Sequence, residues 1–362
     1  MNKITDLLAQ PRTAKIALAA GIVFSGAFTV LIAWAGGRLA SVPHLPAQGP
    51  AWYYWKLASP TFWSHFTAWT FYALHQITLW SLIFYAQTRV KKYSSGLHPI
   101  NLVALGANGF FILLHFVQTQ IWYDGLAQDV SVFSSQGSVI LMLVAILLME
   151  NQRRGLFFGK KVSFSRQIGA FARKYHGYLF AWATIYTFWY HPMENTVAHL
   201  AGFLYMFLLL LQGSLFLTRL HVNKWWTLVQ EVTVGVHGTL VALMQGNGLW
   251  PMFAFGFAGI FIITQMHGLG WSRVRRGVIL GIFILATLAV YSQRGWVQLN
   301  EILRIPLIEY LAVLAMASLI ALGLWLAGVM RKFKPGWFGR NNSGAKGGLT
   351  VNDLMLIKKD TE

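Results

Sequence analysis

The chain has 362 residues, of which 56% are hydrophobic and 11% charged, and a formal charge of +18. A soluble protein carries about twice that charge fraction, so a water-soluble globular fold is excluded. Cysteine is absent, which excludes disulfides, thiolate-held iron–sulfur clusters, covalently attached c-type haem and thiol catalysis.

Apolar runs long enough to span a bilayer recur along the whole chain. In order they cover 16–36, 65–87, 99–121, 132–150, 175–191, 194–218, 227–246, 250–267, 277–293 and 305–330. This predicts an all-α, polytopic membrane helix bundle of about ten transmembrane helices. Residues 1–15 form a cytoplasmic head, 16–330 a single transmembrane helical domain, and 331–362 a basic, flexible cytoplasmic tail. The first run is read as a retained helix rather than a cleaved leader, because it is long and ends in Gly36-Gly37-Arg38.

The connections sort by charge. Taken alternately, the head, the loops at 88–98, 150–174, 219–226 and 268–276, and the tail hold 25 of the 29 Lys and Arg residues; the opposite loops hold only Arg38, Lys56, Arg294 and Arg304. That is the positive-inside pattern, so both termini are expected on the cytoplasmic side of the cell inner (plasma) membrane. The basic charge is thus a topological signal that meets anionic lipid, and no nucleic acid is expected as a partner. The outer loop at 37–63 carries Trp52, Tyr53, Tyr54, Trp55 and Trp63, an aromatic cluster suited to the membrane interface. The inner loop at 151–174 alternates basic and apolar residues and is expected to lie as a short amphipathic helix on the inner surface.

The stretch FWYHPMENTVAHLAGF, residues 188–203, interrupts the apolar pattern. Pro192 suits the first position of a helix, which puts Glu194 at the third, where its carboxylate caps free backbone N–H groups. His199 is then expected one to two turns inside the membrane. An ionisable group at that depth implies function. Asp124 and Asp129 fall in a short outer loop, where they either line a pocket or serve as turn residues.

No two of the 11 histidines are three or four residues apart, so there are no paired ligands on one helix face and no histidine boxes of the kind found in membrane di-iron oxygenases. Histidines on different helices can still meet. His75, His115, His199 and His237 lie at depth; His176 and His191 bracket the fifth span, fifteen residues apart and so about 22 Å along a helix. That spacing resembles two-haem membrane cytochromes, where it is usually one residue shorter, over this one helix. The candidate cofactor-binding set is therefore His75, His115, His176, His191, His199 and His237, with haem b as the group, or a single metal ion on His115, His199 and His237. His98, His221 and His267 adjoin basic loops and carry no such signal.

Three functions follow. The first, favoured because histidines are abundant at depth while carboxylates are scarce, is a membrane redox protein using intramembrane histidines to bind haem b or a metal and exchanging electrons with quinone or a membrane redox partner; the other two are alternatives. The second is an enzyme acting on a lipid substrate, with a histidine such as His199 or His237 as general base. The third is a permease for a small solute. Carboxylates at mid-membrane, which ion-coupled transporters need, are scarce.

Overall fold

A computed structural model describes residues 3–46, 55–90, 92–246 and 248–332. The secondary structure is helical: α1 (Lys3–Leu8), α2 (Pro11–Ala35), α3 (Phe62–Tyr85), α4 (Pro99–Trp122), α5 (Val132–Arg154), α6 (Arg166–Tyr190), α7 (Val197–Ser214), α8 (Lys224–Met244), α9 (Trp250–Ile263), α10 (Arg273–Arg294) and α11 (Glu301–Lys332). Among the described residues there is no strand. The helices from α2 onward coincide with the ten predicted runs. Eight of them are long and apolar enough to cross a membrane; the remaining two have the length, α3 being uncharged but rich in Trp, Tyr, Thr and His, and α6 opening with Arg166, Arg173 and Lys174. Trp52, Tyr53, Tyr54 and the basic tail beyond 332 lie outside the described residues.

Local sequence sets the helix ends. Ser or Thr stands at the N-cap of five helices: Thr61, Ser131, Ser165, Thr196 and Ser272 each accept a backbone N–H of the first turn, and Asn223 does the same for α8. Proline opens α2 and α4, where its missing N–H costs nothing. Two of these caps correct the sequence reading. Ser165 starts α6 nine residues before the apolar run, so 166–174 is the polar first part of a spanning-length helix, not a separate surface helix. Apolar periodicity marks hydrocarbon, not where the backbone stops being helical. Thr196, not Pro192, sets the start of α7, so residues 191–196 form a non-helical turn and His199 sits in the first turn of the helix.

The chain divides into two units, 1–317 and 318–362; of the second, the described part is the last portion of α11. In the first unit α6 and α7 pack on each other and against α3, α4, α5, α2 and α8. The largest core cluster is aromatic, built from Phe111, Phe188, Trp189, Phe203 and Phe207 with Ile32 and Leu79. The outward faces carry large apolar side chains such as Trp34, Ile77, Phe84, Phe110 and Ile282, all exposed. A polypeptide with this exterior is stable only in lipid, so the chain is a multi-pass membrane protein.

The two groups of connections separated by charge also contact each other as groups. At the basic end Leu97 N donates to Leu8 O, Ser94 N to Leu217 O and Phe158 N to Ile263 O, while Lys224 Nζ reaches Leu269 O. At the other end Leu57 N donates to Gln128, His44 meets Tyr123, and Gly36 and Gly125 lie against Asn195 and Tyr190.

Candidate functional site

The turn at 191–196 is tied into the charge-poor end. Met193 N donates to Thr119 Oγ1 (3.0 Å), and both residues are fully buried. Glu194 is also buried, but it is not a helix cap: one carboxylate oxygen accepts from the Tyr123 hydroxyl, and the other from Asn195 N (3.2 Å). Tyr123 ends α4 in the left-handed region (φ 44°), a conformation that costs a bulky residue about 1–3 kcal/mol. Its hydroxyl also lies 2.7 Å from His44 Nε2. Because the tyrosine proton is directed to Glu194, the matching tautomer has His44 Nε2–H donating to the tyrosine oxygen. His44, half-buried, thus connects the protein surface to Glu194 through one hydroxyl.

Histidines gather beside this relay. The rings of His191 and His199 are 5.2 Å apart and nearly perpendicular. On one straight helix their eight-residue separation would be about 12 Å; the non-helical turn folds them together instead. His199 Nδ1 lies 2.8 Å from Thr196 Oγ1, and Trp55 packs edge-on at 4.4 Å, while Nε2 has no hydrogen-bond partner among the described residues. His237 approaches from α8: a Cβ on Gly202 would come within 2.9 Å of its Nε2, so that glycine makes room for the imidazole. His191 is within electrostatic reach of His199, His237 and His115. His115 is fully buried, stacked on Trp189 at 4.2 Å and edged by Phe188 and Phe203. Neither of its ring nitrogens makes a hydrogen bond of normal geometry, although the backbone of His191 lies nearby. One turn on, both amide atoms of buried Gln118 are likewise unpartnered. Two such orphans are costly in a dry interior, at about 1–3 kcal/mol each.

His75 has a different role. Trp189 Nε1–H donates to its Nδ1 (3.2 Å), and its Nε2–H donates to Asn108 Oδ1 (2.8 Å). Asn108 in turn donates to Ser214 Oγ and Leu210 O. Both nitrogens of His75 are thus used in a satisfied core network. His176 is at the opposite end, 6.1 Å from the ring of His221, with its Nδ1–H donating to Arg173 O. His221 lies outside the spans; burial, with His176 as neighbour, lowers its pKa to about 4.

This arrangement brings together His115, His191, His199 and His237 and separates them from His176. In it, neither His75 nor His115 presents a free imidazole to haem b. A porphyrin needs two imidazoles on either side of a flat gap, whereas His75 is committed at both nitrogens and His115 is covered by Trp189. Nor do three histidine or carboxylate side chains converge as a metal-ligand set among the described residues.

In the neighbouring outer loop, Asp129 accepts from Trp69 Nε1 (2.7 Å) and His65 Nδ1 (3.0 Å). Asp124 is buried, its Oδ1 accepting from Gly125 N while Oδ2 makes no hydrogen bond and lies 4.0 Å from His65 Nδ1; burial raises its pKa to about 6.

Sequence reasoning missed His44, Tyr123, Gln118 and Thr196. Only Thr196 had a local signal, a hydroxyl immediately before an apolar helical run. The others are brought to the site by tertiary packing. No protein family, curated protein or solved structure matches the chain.

Proposed function

We propose that the chain is a ten-span enzyme of the inner (plasma) membrane, with both termini cytoplasmic, that acts on a lipid or lipid-linked substrate by general acid–base chemistry at its outer end. The observation that carries this reading is the placement, on one six-residue turn and the helix it starts, of the His191–His199 imidazole pair beside the Tyr123–Glu194 relay. His199 is the general base. In the tautomer whose Nδ1–H donates to Thr196 Oγ1, its Nε2 is left as an acceptor. The relay His44 to Tyr123 to Glu194 supplies or removes the second proton from the surface side. His115 and Gln118 offer buried donors and acceptors for the polar group of the substrate, and His237 closes the site from α8. The apolar flanks of α3, α4 and α8 admit a substrate already dissolved in the bilayer. Charge on the connections supports the orientation, and the length of α3 and α6, with their caps, supports counting them as spans.

The test uses the purified chain in proteoliposomes made from a total membrane lipid extract, with lipid composition followed by mass spectrometry. The wild-type chain is expected to convert a lipid species that His199→Gln leaves untouched, and to show no Soret absorption band. A Soret band that disappears in His115→Gln or His199→Gln would replace this reading with the redox one. An unchanged lipid profile with wild-type protein would remove the enzymatic reading.

A further inference from the structure

A second site lies at the basic end, far from the histidine cluster. A cavity of about 210 Å³ opens where α9 ends and α10 begins. Phe158, Ile262 and Leu280 form its apolar wall, and His267, Arg273 and Arg276 supply its polar edge. Arg273 and Arg276 are three residues apart on the first turn of α10, so they project from one helix face. His267 orients one of them. Its Nε2–H donates to Ile262 O (3.1 Å), which leaves Nδ1 to accept from Arg276 Nη1 (2.8 Å). Arg276 Nε is buried and has no acceptor. Among the described residues no carboxylate pairs with Arg273, Arg275 or Arg276.

Two cations, one of them held by a neutral imidazole and carrying an orphan donor, call for an anion. The neighbouring surface says which kind. A second cavity of about 260 Å³ continues between the same two helices, shares Ile262 with the first, and is lined by apolar side chains only, among them Phe255, Ala258, Phe283 and Ala286. From Arg276 to Ala286 the groove follows α10 for about 15 Å. A free phosphate or a soluble carboxylate would use the first cavity and gain nothing from the second. A molecule with an anionic head and an acyl chain would fill both. Anionic lipids are also concentrated on the side where basic loops face.

We propose that the groove between α9 and α10 binds one anionic phospholipid, with its phosphate on the guanidinium groups of Arg273 and Arg276 and an acyl chain along Ile262, Phe283 and Ala286.

The experiment is native mass spectrometry of the full chain extracted from nanodiscs containing phosphatidylcholine and phosphatidylglycerol. The wild-type chain is expected to retain phosphatidylglycerol in preference to phosphatidylcholine. Arg273→Gln with Arg276→Gln should lower that retention about tenfold or more. Ala286→Trp, which fills the apolar groove and leaves all charges in place, should lower it too, and carries the test if the double variant does not fold. Lys160→Gln with Lys161→Gln, on the neighbouring basic loop, should have little effect. Three results would each overturn the proposal: no preference in the wild-type chain, an equal loss in the lysine control, or displacement of the lipid by inorganic phosphate with no effect of Ala286→Trp.

Discussion

At the scale of single residues, a side chain's role follows from whether its polar atoms are already used. His75 and His115 are both fully buried and are near neighbours across Trp189, yet one is saturated by Trp189 and Asn108 and the other has no partner of normal geometry. A sequence reading gives them equal weight because depth is legible in hydropathy and hydrogen-bond saturation is not. Asp124 gives a pH-dependent consequence. Its carboxyl is raised by burial from 3.8 to about 6, the Gly125 N–H, the Ser64 side chain and His65 opposing the rise and Asp129 adding to it. The folded state therefore binds the proton more tightly than the unfolded chain. This contribution to stability is complete below about pH 4 and is lost as pH rises through 6. Asp124→Asn is expected to remove that decline, amounting to at most about 3 kcal/mol. Thermal unfolding in detergent at pH 5 and pH 8 measures it: the variant should gain clearly more on the wild type at pH 8 than at pH 5. An equal effect at both values would place the carboxylate in an ordinary solvated turn.

At the scale of elements, the site depends on two departures from regular helix. The first is the turn at 191–196, which exists because Thr196 takes the N-cap position and starts α7 later than Pro192 alone would suggest. Without it, His191 and His199 would stand about two turns apart on one helix. The second is the left-handed end of α4 at Tyr123, followed two residues later by Gly125, whose Cα hydrogen side faces the carbonyl of Tyr190. A Cβ there would lie 2.5 Å from that oxygen and 3.1 Å from the His191 carbonyl carbon. Those atoms are backbone and cannot rotate away. Gly125→Ala is therefore expected to displace the turn, lowering stability by about 1–3 kcal/mol and abolishing lipid conversion. The check is a thermal unfolding scan with the conversion assay. Full activity in this variant would show that the turn's position is not what assembles the site. The apolar runs foretold where the long helices lie, eight of which are long and apolar enough to cross a membrane. They could not foretell these ends, because caps, turns and close backbone contacts are set by one or two residues each and leave hydropathy unchanged.

At the scale of the whole molecule, the charge pattern and the fold agree on which connections belong together. The loops rich in Lys and Arg contact one another, those with Arg38 and Lys56 contact the connections at Tyr123, Gln128 and Asn195, and Arg294 contacts the charge-poor connection at Gly248. The fold class was thus legible from the sequence, since length, hydropathy and charge act over tens of residues. The clustering of His115, His191, His199 and His237 was only half legible: their common depth could be read, their pairing could not, and His176 was grouped with them by a helical spacing that places it at the opposite end. A chain without cysteine makes sidedness easy to measure. Single cysteines at Asn195 and Ser163 are expected to react with an impermeant thiol reagent from opposite sides of the membrane, Asn195 from outside. Reaction of both from one side would dissolve the grouping of loops and the orientation of the site.

The claim that ties these scales together is that the imidazoles at the charge-poor end perform the chemistry and those at the basic end do not. The direct measurement is the rate of lipid conversion in proteoliposomes for His199→Gln and for His176→Gln, each with its folded fraction determined. Loss of a positioned general base is worth about 10²–10⁴-fold, so His199→Gln is expected to fall by at least the lower figure while His176→Gln stays near wild type. Equal rates in the two variants, whether both high or both low, would contradict the account.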